Sequence, residues 1–512
     1  MTDQPTRRTR PARRILAAVA AAALVAGPAT PAAADPAPAL DWGDCPAAAM
    51  TAPGTECAEL EVPRDYADPQ GPTITLTISR LPATGVSRGA VAGNPGGPGG
   101  DALGMFAPEQ VRMPDAVREQ RDLIAVQPRG LRWSTPLECD LAGIPMSAVL
   151  AGQVGALYAA CEAAMPGYAA TITTENTARD LEEARKALGL PELDLYGVSY
   201  GSDLMSTYAT LFPGRVGAMV LDSGVDPDQR WFDLGPARET WRREALTALF
   251  GWIADRDARY HLGTTPLQVY RAWSDRVNEQ SGAPGRVYPP PAEVGDLPGA
   301  LAEHPEAALP ALNRVLPAVW RGHSALAGLT GGAAEQSPLL QLTMAALYSE
   351  SMWPEIADRI ATGTTPEPEL PEGLGPEDVM EMVTAMTMVE RGIICNDNRN
   401  AADPARTPRL FGDMLAGGDL LRINADALKS GYLCAGWPAA RAAIRPSGAE
   451  LATPPLILHY DRDSAVTGVA HRAIREAMGG ELILLPGHGH GVLAAANDPD
   501  AVAEAVTRHY LG

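Results

Sequence analysis

The sequence predicts an α/β protein built on an open, mostly parallel sheet that carries a large, mainly helical insertion. Over residues 35–226, short apolar runs that end at glycine, proline or asparagine alternate with stretches of helical spacing. The strand signal then fades until about residue 454, and two further strand and helix patterns close the chain. Such alternation is typical of a parallel sheet, and one long interruption indicates a second unit inserted between two strands.

The individual elements follow from the hydrophobic spacing. Residues 73–81 alternate apolar and polar side chains, which predicts a half-buried early strand. The other predicted strands lie at residues 89–92, 123–126, 193–198, 216–222, 455–461 and 482–485. The predicted helices of the core lie at residues 177–188, 202–211, 469–478 and 498–510. The predicted division is therefore a core over residues 35–226 and 454–512, with a helical cap or lid over residues 227–453.

Residues 1–34 have the composition of an export signal. Arginines at the start are followed by an apolar run over residues 15–26 and by small residues up to Ala34. The run is too short to span a bilayer comfortably, so cleavage after Ala34 is expected rather than anchoring. The pair Arg13 and Arg14 is compatible with the twin-arginine route as well as the general secretory one. No later segment is predicted to span a membrane, and a secreted protein is expected.

The charge and the cysteines fit an exported protein. The formal net charge is −21, and removal of residues 1–34, with five Arg and one Asp, gives −21 − 4 = −25, which argues against a nucleic-acid partner. Six cysteines remain, and an even number in an exported chain predicts disulfides. Neighbours in sequence close the shortest loops, so the predicted pairs are Cys45–Cys57, Cys139–Cys161 and Cys395–Cys434.

The most informative motif is Gly-x-Ser-x-Gly at residues 197–201. It follows a predicted buried strand and precedes a predicted helix, which is the context of a strained turn that exposes a nucleophilic serine. Gly197 and Gly201 provide the small residues that such a turn needs where strand and helix nearly touch. Ser199 is therefore the predicted nucleophile.

A nucleophilic serine needs a histidine base, and the histidine needs an acid to orient it. Asp463 and His490 follow the last two predicted strands, in the order Ser, acid, His. The rivals lie beside or between them. Asp461 and His488 are close in sequence to the chosen pair, and Asp222, at the end of the strand after the serine turn, is a third candidate acid.

A glycine-rich segment provides candidate donors for an oxyanion. The segment GNPGGPGG at residues 93–100 follows an early central strand, and its glycines allow a substrate carbonyl to approach the backbone. Gly97 is the predicted donor from this loop, with Gly96 next. The second predicted donor is the backbone N–H of Tyr200, the residue after the nucleophile.

Several motifs together resemble those of the secreted tripeptidyl aminopeptidases of actinobacteria, which belong to the α/β-hydrolase peptidases that include the proline iminopeptidases. They are NPGGPG at residues 94–99, GVSYG at 197–201, YATLFP at 208–213 with RV at 215–216, VLD at 220–222 with VDP at 225–227, and CND at 395–397. The resemblance runs from about Trp42 to the C-terminus. Two segments depart from the family pattern: VQPRG at 126–130, and DSAVT at 463–467.

The resemblance implies an α/β-hydrolase fold and the release of short peptides, such as tripeptides, from free N-termini. It implies a triad of Ser199, Asp463 and His490, a cap that limits access to chain ends, and no metal or organic cofactor. We expect peptide substrates and a monomer. An esterase, lipase or amidase with the same triad is the alternative function, and a binding protein on an inactive hydrolase scaffold is a third hypothesis.

An exopeptidase has to meet the buried ammonium of its substrate with a carboxylate, because an unpaired buried charge opposes binding. Glu350, Glu355 and Asp397 are candidates in the predicted cap, although most cap acids are expected at the surface. Trp353, Trp437 and Tyr348 are candidates for lining the pocket, with packing inside the cap as the other reading.

Overall fold

A nine-stranded sheet organises the chain in the computed structural model, which describes residues 40–140, 154–329, 331–364, 374–438, 442–497 and 499–512. The predicted export signal lies outside the described residues. The strands are β1 (Gly43–Asp44), β2 (Glu56–Pro63), β3 (Thr73–Leu81), β4 (Ala90–Asn94), β5 (Asp122–Val126), β6 (Leu193–Val198), β7 (Val216–Asp222), β8 (Leu456–Tyr460) and β9 (Glu481–Leu485). Each of the seven predicted strands is present.

The sheet is antiparallel at one end and parallel over the rest. Its order is β1-β2-β3-β5-β4-β6-β7-β8-β9, and the pairs from β5 onward are all parallel. The carboxyl ends of β4, β6, β8 and β9 therefore share one edge, where the loops with the predicted site residues begin. This is the edge at which open α/β sheets bind ligands.

The helices cover the sheet and fill the interval between β7 and β8. They are α1 (Asp115–Gln120), α2 (Val154–Ala164), α3 (Thr174–Ala187), α4 (Tyr200–Leu211), α5 (Leu234–Ala254), α6 (Asp257–Tyr260), α7 (Pro266–Ser281), α8 (Gly299–Ala302), α9 (Pro305–Leu329), α10 (Pro338–Ala345), α11 (Trp353–Thr362), α12 (Pro376–Asn396), α13 (Thr407–Leu415), α14 (Leu420–Lys429), α15 (Ala470–Met478) and α16 (Ala503–Leu511). The four core helices predicted from the sequence correspond to α3, α4, α15 and α16.

The interval between β7 and β8 has an apolar core of its own. A cluster of buried residues drawn from positions 245–421 surrounds Trp273 and Phe250, whereas two other clusters cover the two faces of the sheet. The described residues of this interval contain helices and no strand. Such an arrangement agrees with the fading of the strand signal in the sequence.

One predicted feature of the sheet is wrong. Strand β3 was expected to be half-buried, yet its polar residues Thr77 and Ser79 are buried together with the apolar ones. The Ser79 hydroxyl donates a hydrogen bond to the carbonyl of Leu103 at 3.0 Å, and the Thr77 hydroxyl donates to the carbonyl of Trp133. Because these hydroxyls have partners in covering loops, the polar face of the strand can be buried as well.

Candidate active site

Ser199 lies in a strained turn between β6 and α4. Its backbone angles are φ 57° and ψ −127°, a conformation that residues other than glycine rarely adopt. A Cβ at Gly197 would come within 2.3 Å of the Gly201 carbonyl oxygen, and one at Gly201 within 2.1 Å of the Asn94 carbonyl oxygen. Gly197 lies too close to the start of α4, and Gly201 too close to the end of β4, for any larger residue, which explains both glycines of the motif.

His490 and Asp463 form a hydrogen-bonded pair. His490 Nδ1 lies 2.8 Å from Asp463 Oδ2, with the histidine in the loop after β9 and the aspartate in the loop after β8. Asp463 is fully buried, and its Oδ1 accepts hydrogen bonds from the backbone N–H groups of Ala465 and Val466 at 2.8 and 3.1 Å. Burial would raise the pKa of Asp463, but the neighbouring His490 and these donors hold it below its ordinary value. Asp463 is thus placed as an ionised partner for the imidazole.

The histidine loop is close to the serine turn. A Cβ at Gly491 would be 3.4 Å from Val198 Cγ1, so the residue after His490 contacts the residue before Ser199. The Gly491 N–H donates a hydrogen bond to the Ser223 hydroxyl at 2.8 Å, and the Asn497 side-chain amide donates to the carbonyls of His490 and Gly491 at 3.0 and 2.7 Å. These contacts fix the backbone that carries the imidazole.

The two rivals that adjoin the pair in sequence have different surroundings. Asp461 Oδ1 accepts a hydrogen bond from the Gly487 N–H at 2.9 Å, at the start of the histidine loop. The His488 ring packs against Trp353, with centroids 5.4 Å apart, and its two ring nitrogens are buried without a hydrogen-bond partner in the described chain. Burial lowers the pKa of His488. Asp461 and His488 therefore do not form a hydrogen-bonded pair like that of Asp463 and His490.

Asp222, the third candidate acid, binds the backbone after the histidine rather than the imidazole. Its Oδ1 accepts from the Val492 N–H at 2.7 Å, and its Oδ2 accepts from the Leu493 N–H and the Tyr196 hydroxyl, each at 2.9 Å. Asp222 is completely buried, and that burial raises its pKa against the opposing effect of these donors. The carboxylate therefore anchors the histidine loop to the end of β7.

The glycine loop after β4 lies against the serine turn. A Cβ at Gly96 would be 3.0 Å from the Tyr200 backbone nitrogen, so the loop and the start of α4 are in contact. The Gly96 N–H is bonded to the Asn94 side chain at 3.0 Å. Among the described residues, no hydrogen-bond partner occupies the N–H of Gly97 or that of Tyr200. These two predicted donors are therefore available, while Gly96, the second choice, is engaged.

A cavity of about 330 Å³ opens onto Ser199 and Gly97. Its other lining residues come largely from helices α5, α12 and α14 of the interval between β7 and β8. They include the charged residues Arg238, Glu239, Arg242, Glu390 and Arg391, and the aromatic Tyr348. Tyr348 also packs edge-on against the His490 ring, with centroids 5.2 Å apart, and its carbonyl accepts a hydrogen bond from the His490 N–H. The cavity is thus polar and strongly charged beside the serine.

None of the three carboxylates singled out in the sequence lines this cavity. Glu350 accepts a hydrogen bond from the His488 N–H at 2.7 Å, and Glu355 pairs with Arg359 at the surface. Asp397 accepts a hydrogen bond from the Thr174 N–H and is buried behind the serine helix, where burial raises its pKa to about 6.

Glu239 and Glu390 are the carboxylates that line the cavity, and sequence reasoning missed them. A signal for the first was present, because residues 235, 238, 239 and 242 share one face of α5 at helical spacing. Of the aromatic candidates, only Tyr348 lines the cavity. Trp353 packs in the apolar cluster of the helical interval, and the Trp437 indole N–H donates to the Asn396 side chain at 2.8 Å.

The three disulfides join Cys45 to Cys57, Cys139 to Cys161 and Cys395 to Cys434, which confirms the predicted pairing. In the described part of the chain, no helix is both long and apolar enough to cross a bilayer.

Two segments of the chain match known protein-family models. Residues 93–282 match the family model described as alpha/beta hydrolase fold, and residues 421–512 match the one described as TAP-like protein. Together with the sheet order, these matches show that the chain has the α/β-hydrolase fold predicted above.

Individual proteins with similar sequences indicate a more specific class than the family models do. A tripeptidyl aminopeptidase of Streptomyces coelicolor is 34% identical over 257 residues, covering 46% of this chain and 47% of the relative. The serine protease Hip1 of Mycobacterium tuberculosis is 36% identical over 195 residues, covering 34% and 37%. Carboxylesterase B of the same organism is 32% identical over 285 residues, covering 51% and 54%. The predicted resemblance to tripeptidyl aminopeptidases is confirmed, although the chain matches only 37–54% of the length of these relatives.

Proposed function

We propose that this protein is a secreted serine peptidase that releases short peptides, most simply tripeptides, from free N-termini. The observation that carries the proposal is the His490–Asp463 pair in the loop beside a strained Ser199, at the mouth of a charged cavity. Named relatives that include a tripeptidyl aminopeptidase and a serine protease support a peptide substrate.

In the proposed reaction, Ser199 Oγ attacks the scissile carbonyl carbon and its proton passes to His490 Nε2. Asp463 holds the imidazole with Nδ1–H toward itself and stabilises the imidazolium. The N–H groups of Gly97 and Tyr200 bind the oxyanion of the tetrahedral intermediate. The imidazolium then protonates the leaving amine, and an acyl-enzyme forms on Ser199. Water, deprotonated by His490, hydrolyses that ester and restores the serine.

Glu390 is the proposed partner of the substrate ammonium. It lines the cavity from α12 and forms no ion pair with a described residue, whereas Glu239 is bonded to Arg243 at 2.9 Å. A Cβ at Gly99 would be 3.3 Å from the Glu390 backbone nitrogen, so this part of α12 lies against the glycine loop. A carboxylate in that place favours a substrate whose terminal amine is free.

The helical interval, residues 227–453, is proposed as the cap that restricts the cavity to chain ends. Export is proposed from the pattern of residues 1–34, and the three disulfides agree with an oxidising compartment. We further propose that the protein acts as a monomer.

An esterase is the second candidate function, favoured by the similarity to a carboxylesterase over about half the chain. Four substrates separate the two functions: a free-amine tripeptide arylamide, its N-acetylated form, a single-residue arylamide and a short-chain aryl ester. The peptidase proposal expects cleavage of the free tripeptide above all, with loss in Ser199→Ala. Activity confined to the ester, or unaffected by acetylation, would contradict the peptidase proposal and favour the esterase function.

A variant of Glu390 tests whether this residue binds the substrate ammonium. Glu390→Gln should raise KM for the free-amine tripeptide and leave the slow hydrolysis of the acetylated form unchanged. Glu355→Gln is the matched control, because Glu355 lies at the surface and pairs only with Arg359 in the described chain. Equal effects of both variants would rule out Glu390 as the ammonium partner.

A further inference from the structure

The cavity at Ser199 is lined by three arginines that form no ion pair with a described carboxylate. Arg238, Arg242 and Arg391 all line it, and none forms an ion pair within 4.0 Å with a described acidic residue. All three side chains are half-buried, and a charge that is partly withdrawn from water without an ion-pair partner is unfavourable. Three such groups in one cavity are therefore unusual in a chain whose net charge is −21.

Neutral contacts hold two of the three groups in place. Arg238 Nε donates a hydrogen bond to the Ala465 carbonyl at 2.6 Å, and Arg242 Nη2 donates to the Tyr348 hydroxyl at 3.2 Å. The Arg391 Nε is buried and has no hydrogen-bond partner in the described chain. Each guanidinium has five N–H donors, so these contacts leave most of the donors of Arg238 and Arg242 free for a ligand.

The acidic side chains of the cavity do not balance these charges. Glu239 is bonded to Arg243, which also pairs with the buried Asp419 at 3.0 Å. Glu390 is the other carboxylate of the lining, so positive charge is in excess. Burial and then the nearby Arg242 lower the pKa of Arg238, and this lowering exceeds the opposing effect of the Glu390 and Asp463 carboxylates.

We propose that Arg238 and Arg242 of α5, together with Arg391 of α12, bind a carboxylate of the substrate close to the scissile bond. The carboxylate comes either from an acidic side chain or from the C-terminus of a short peptide. Arginine forks match the planar geometry of a carboxylate, and a bound anion supplies the missing counter-charge. This inference rests on the proposed peptidase function and assigns the substrate preference of the same cavity.

The kinetic test uses pairs of substrates that differ by one charge. Tripeptide arylamides carry Glu or Gln at one of the three positions, and a tetrapeptide ends in a carboxylate or a carboxamide. We expect one member of this set to be preferred in its charged form by about 10- to 100-fold in kcat/KM, the effect of a hydrogen bond between charged groups. The position of the preference separates a side-chain carboxylate from a terminal one.

Variants assign that preference to the cavity. In Arg242→Gln and Arg238→Gln the ratio of kcat/KM for the charged and neutral substrates should fall toward 1, and circular dichroism with urea denaturation shows whether each variant is folded. Arg259→Gln is the control, because Arg259 lies on the outside of the helical interval with its side chain 66% exposed. That variant should keep the preference of the parent protein.

A binding measurement makes the inference independent of turnover. Titration calorimetry on Ser199→Ala, with the same charged and neutral peptides, should show the same preference and its loss when Arg242→Gln is added. Equal affinity and equal kcat/KM for every charged and neutral pair would overturn the inference, as would a preference that survives both arginine variants. Cleavage of free-amine peptides without any charge preference would leave the peptidase function standing. Charge-selective binding without peptide cleavage would support the carboxylate site and contradict the peptidase function.

Discussion

Replacement of Asp222 by asparagine distinguishes an acid that anchors the histidine loop from an acid that orients the imidazole. Oδ1 of Asp222 accepts one backbone N–H, and Oδ2 accepts a second N–H and the Tyr196 hydroxyl. Asparagine has one acceptor oxygen, so in either orientation its NH2 group faces the N–H of Val492 or Leu493. One buried donor is then left unsatisfied, which costs about 1–3 kcal/mol in the free energy of unfolding.

The same substitution should displace His490, because Val492 and Leu493 follow it closely in the chain. A displacement of about 1 Å near reacting groups lowers kcat by roughly 10²-fold. Asp463→Asn is the comparison. Its NH2 group would favour the wrong imidazole tautomer, which in serine peptidases lowers kcat by about 10⁴-fold. Urea denaturation and kcat with the free-amine tripeptide are measured for both variants. Full stability of Asp222→Asn together with the larger kcat loss would refute the assignment of Asp222 as an anchor and favour it as the orienting acid.

Three further predictions concern the scaffold around the site. Gly201→Ala should lower the unfolding free energy by about 1–3 kcal/mol and abolish most activity, because the added Cβ would lie 2.1 Å from a carbonyl oxygen. Gly214→Ala is the control: its Cβ would have nothing within 4 Å, so its stability and activity should equal those of the parent protein. The pKa of Asp397, about 6 against 3.8, is raised, so the folded protein holds this proton more tightly than the unfolded chain and its favourable effect on folding is lost as pH rises from about 4 to 6. Asp397→Asn should remove about 2 kcal/mol of the pH dependence of the unfolding free energy between pH 4 and 7, measured by urea titration. Replacing both Cys395 and Cys434 by serine should lower the unfolding free energy by about 4 kcal/mol, because their disulfide spans a separation of 39 residues, and an unchanged urea midpoint would contradict this.

The serine turn and the sheet were predictable because their chemistry is local. Gly197 is required by its contact with Gly201 at the start of the following helix, and Gly201 by its contact with Asn94 at the end of β4. Their fixed spacing around the serine is visible in the sequence. Asp463 and His490 were selected by their positions after the last two strands, and the structure brings these two side chains together. The short strand β1 and strand β2 were not predicted, although β2 pairs with its sequence neighbours β1 and β3. Three glutamates in β2, at positions 56, 59 and 61, weaken its strand signal.

The charges of the cavity were not predictable in the same way. Glu390 and Arg391 line it because the long helix α12 packs against the glycine loop, and nothing near residue 390 in sequence indicates that neighbour. Glu350 and Asp397 were candidates because they lie near apolar or cysteine-bearing segments of the sequence, but both accept hydrogen bonds from backbone N–H groups. Apolar neighbours in sequence therefore predict that an acid is buried, but they do not show whether it accepts backbone hydrogen bonds or lines the cavity.

Labelling with a fluorophosphonate tests the proposed nucleophile most directly. The reagent forms a stable phosphonyl ester on an activated serine hydroxyl, and mass spectrometry of the digested protein locates the adduct. We predict one adduct on the peptide that contains Ser199, with parallel loss of tripeptide hydrolysis, slower labelling in Asp463→Asn and none in Ser199→Ala. An adduct on another serine, or equal labelling of Ser199→Ala, would contradict the assignment of Ser199 as the nucleophile.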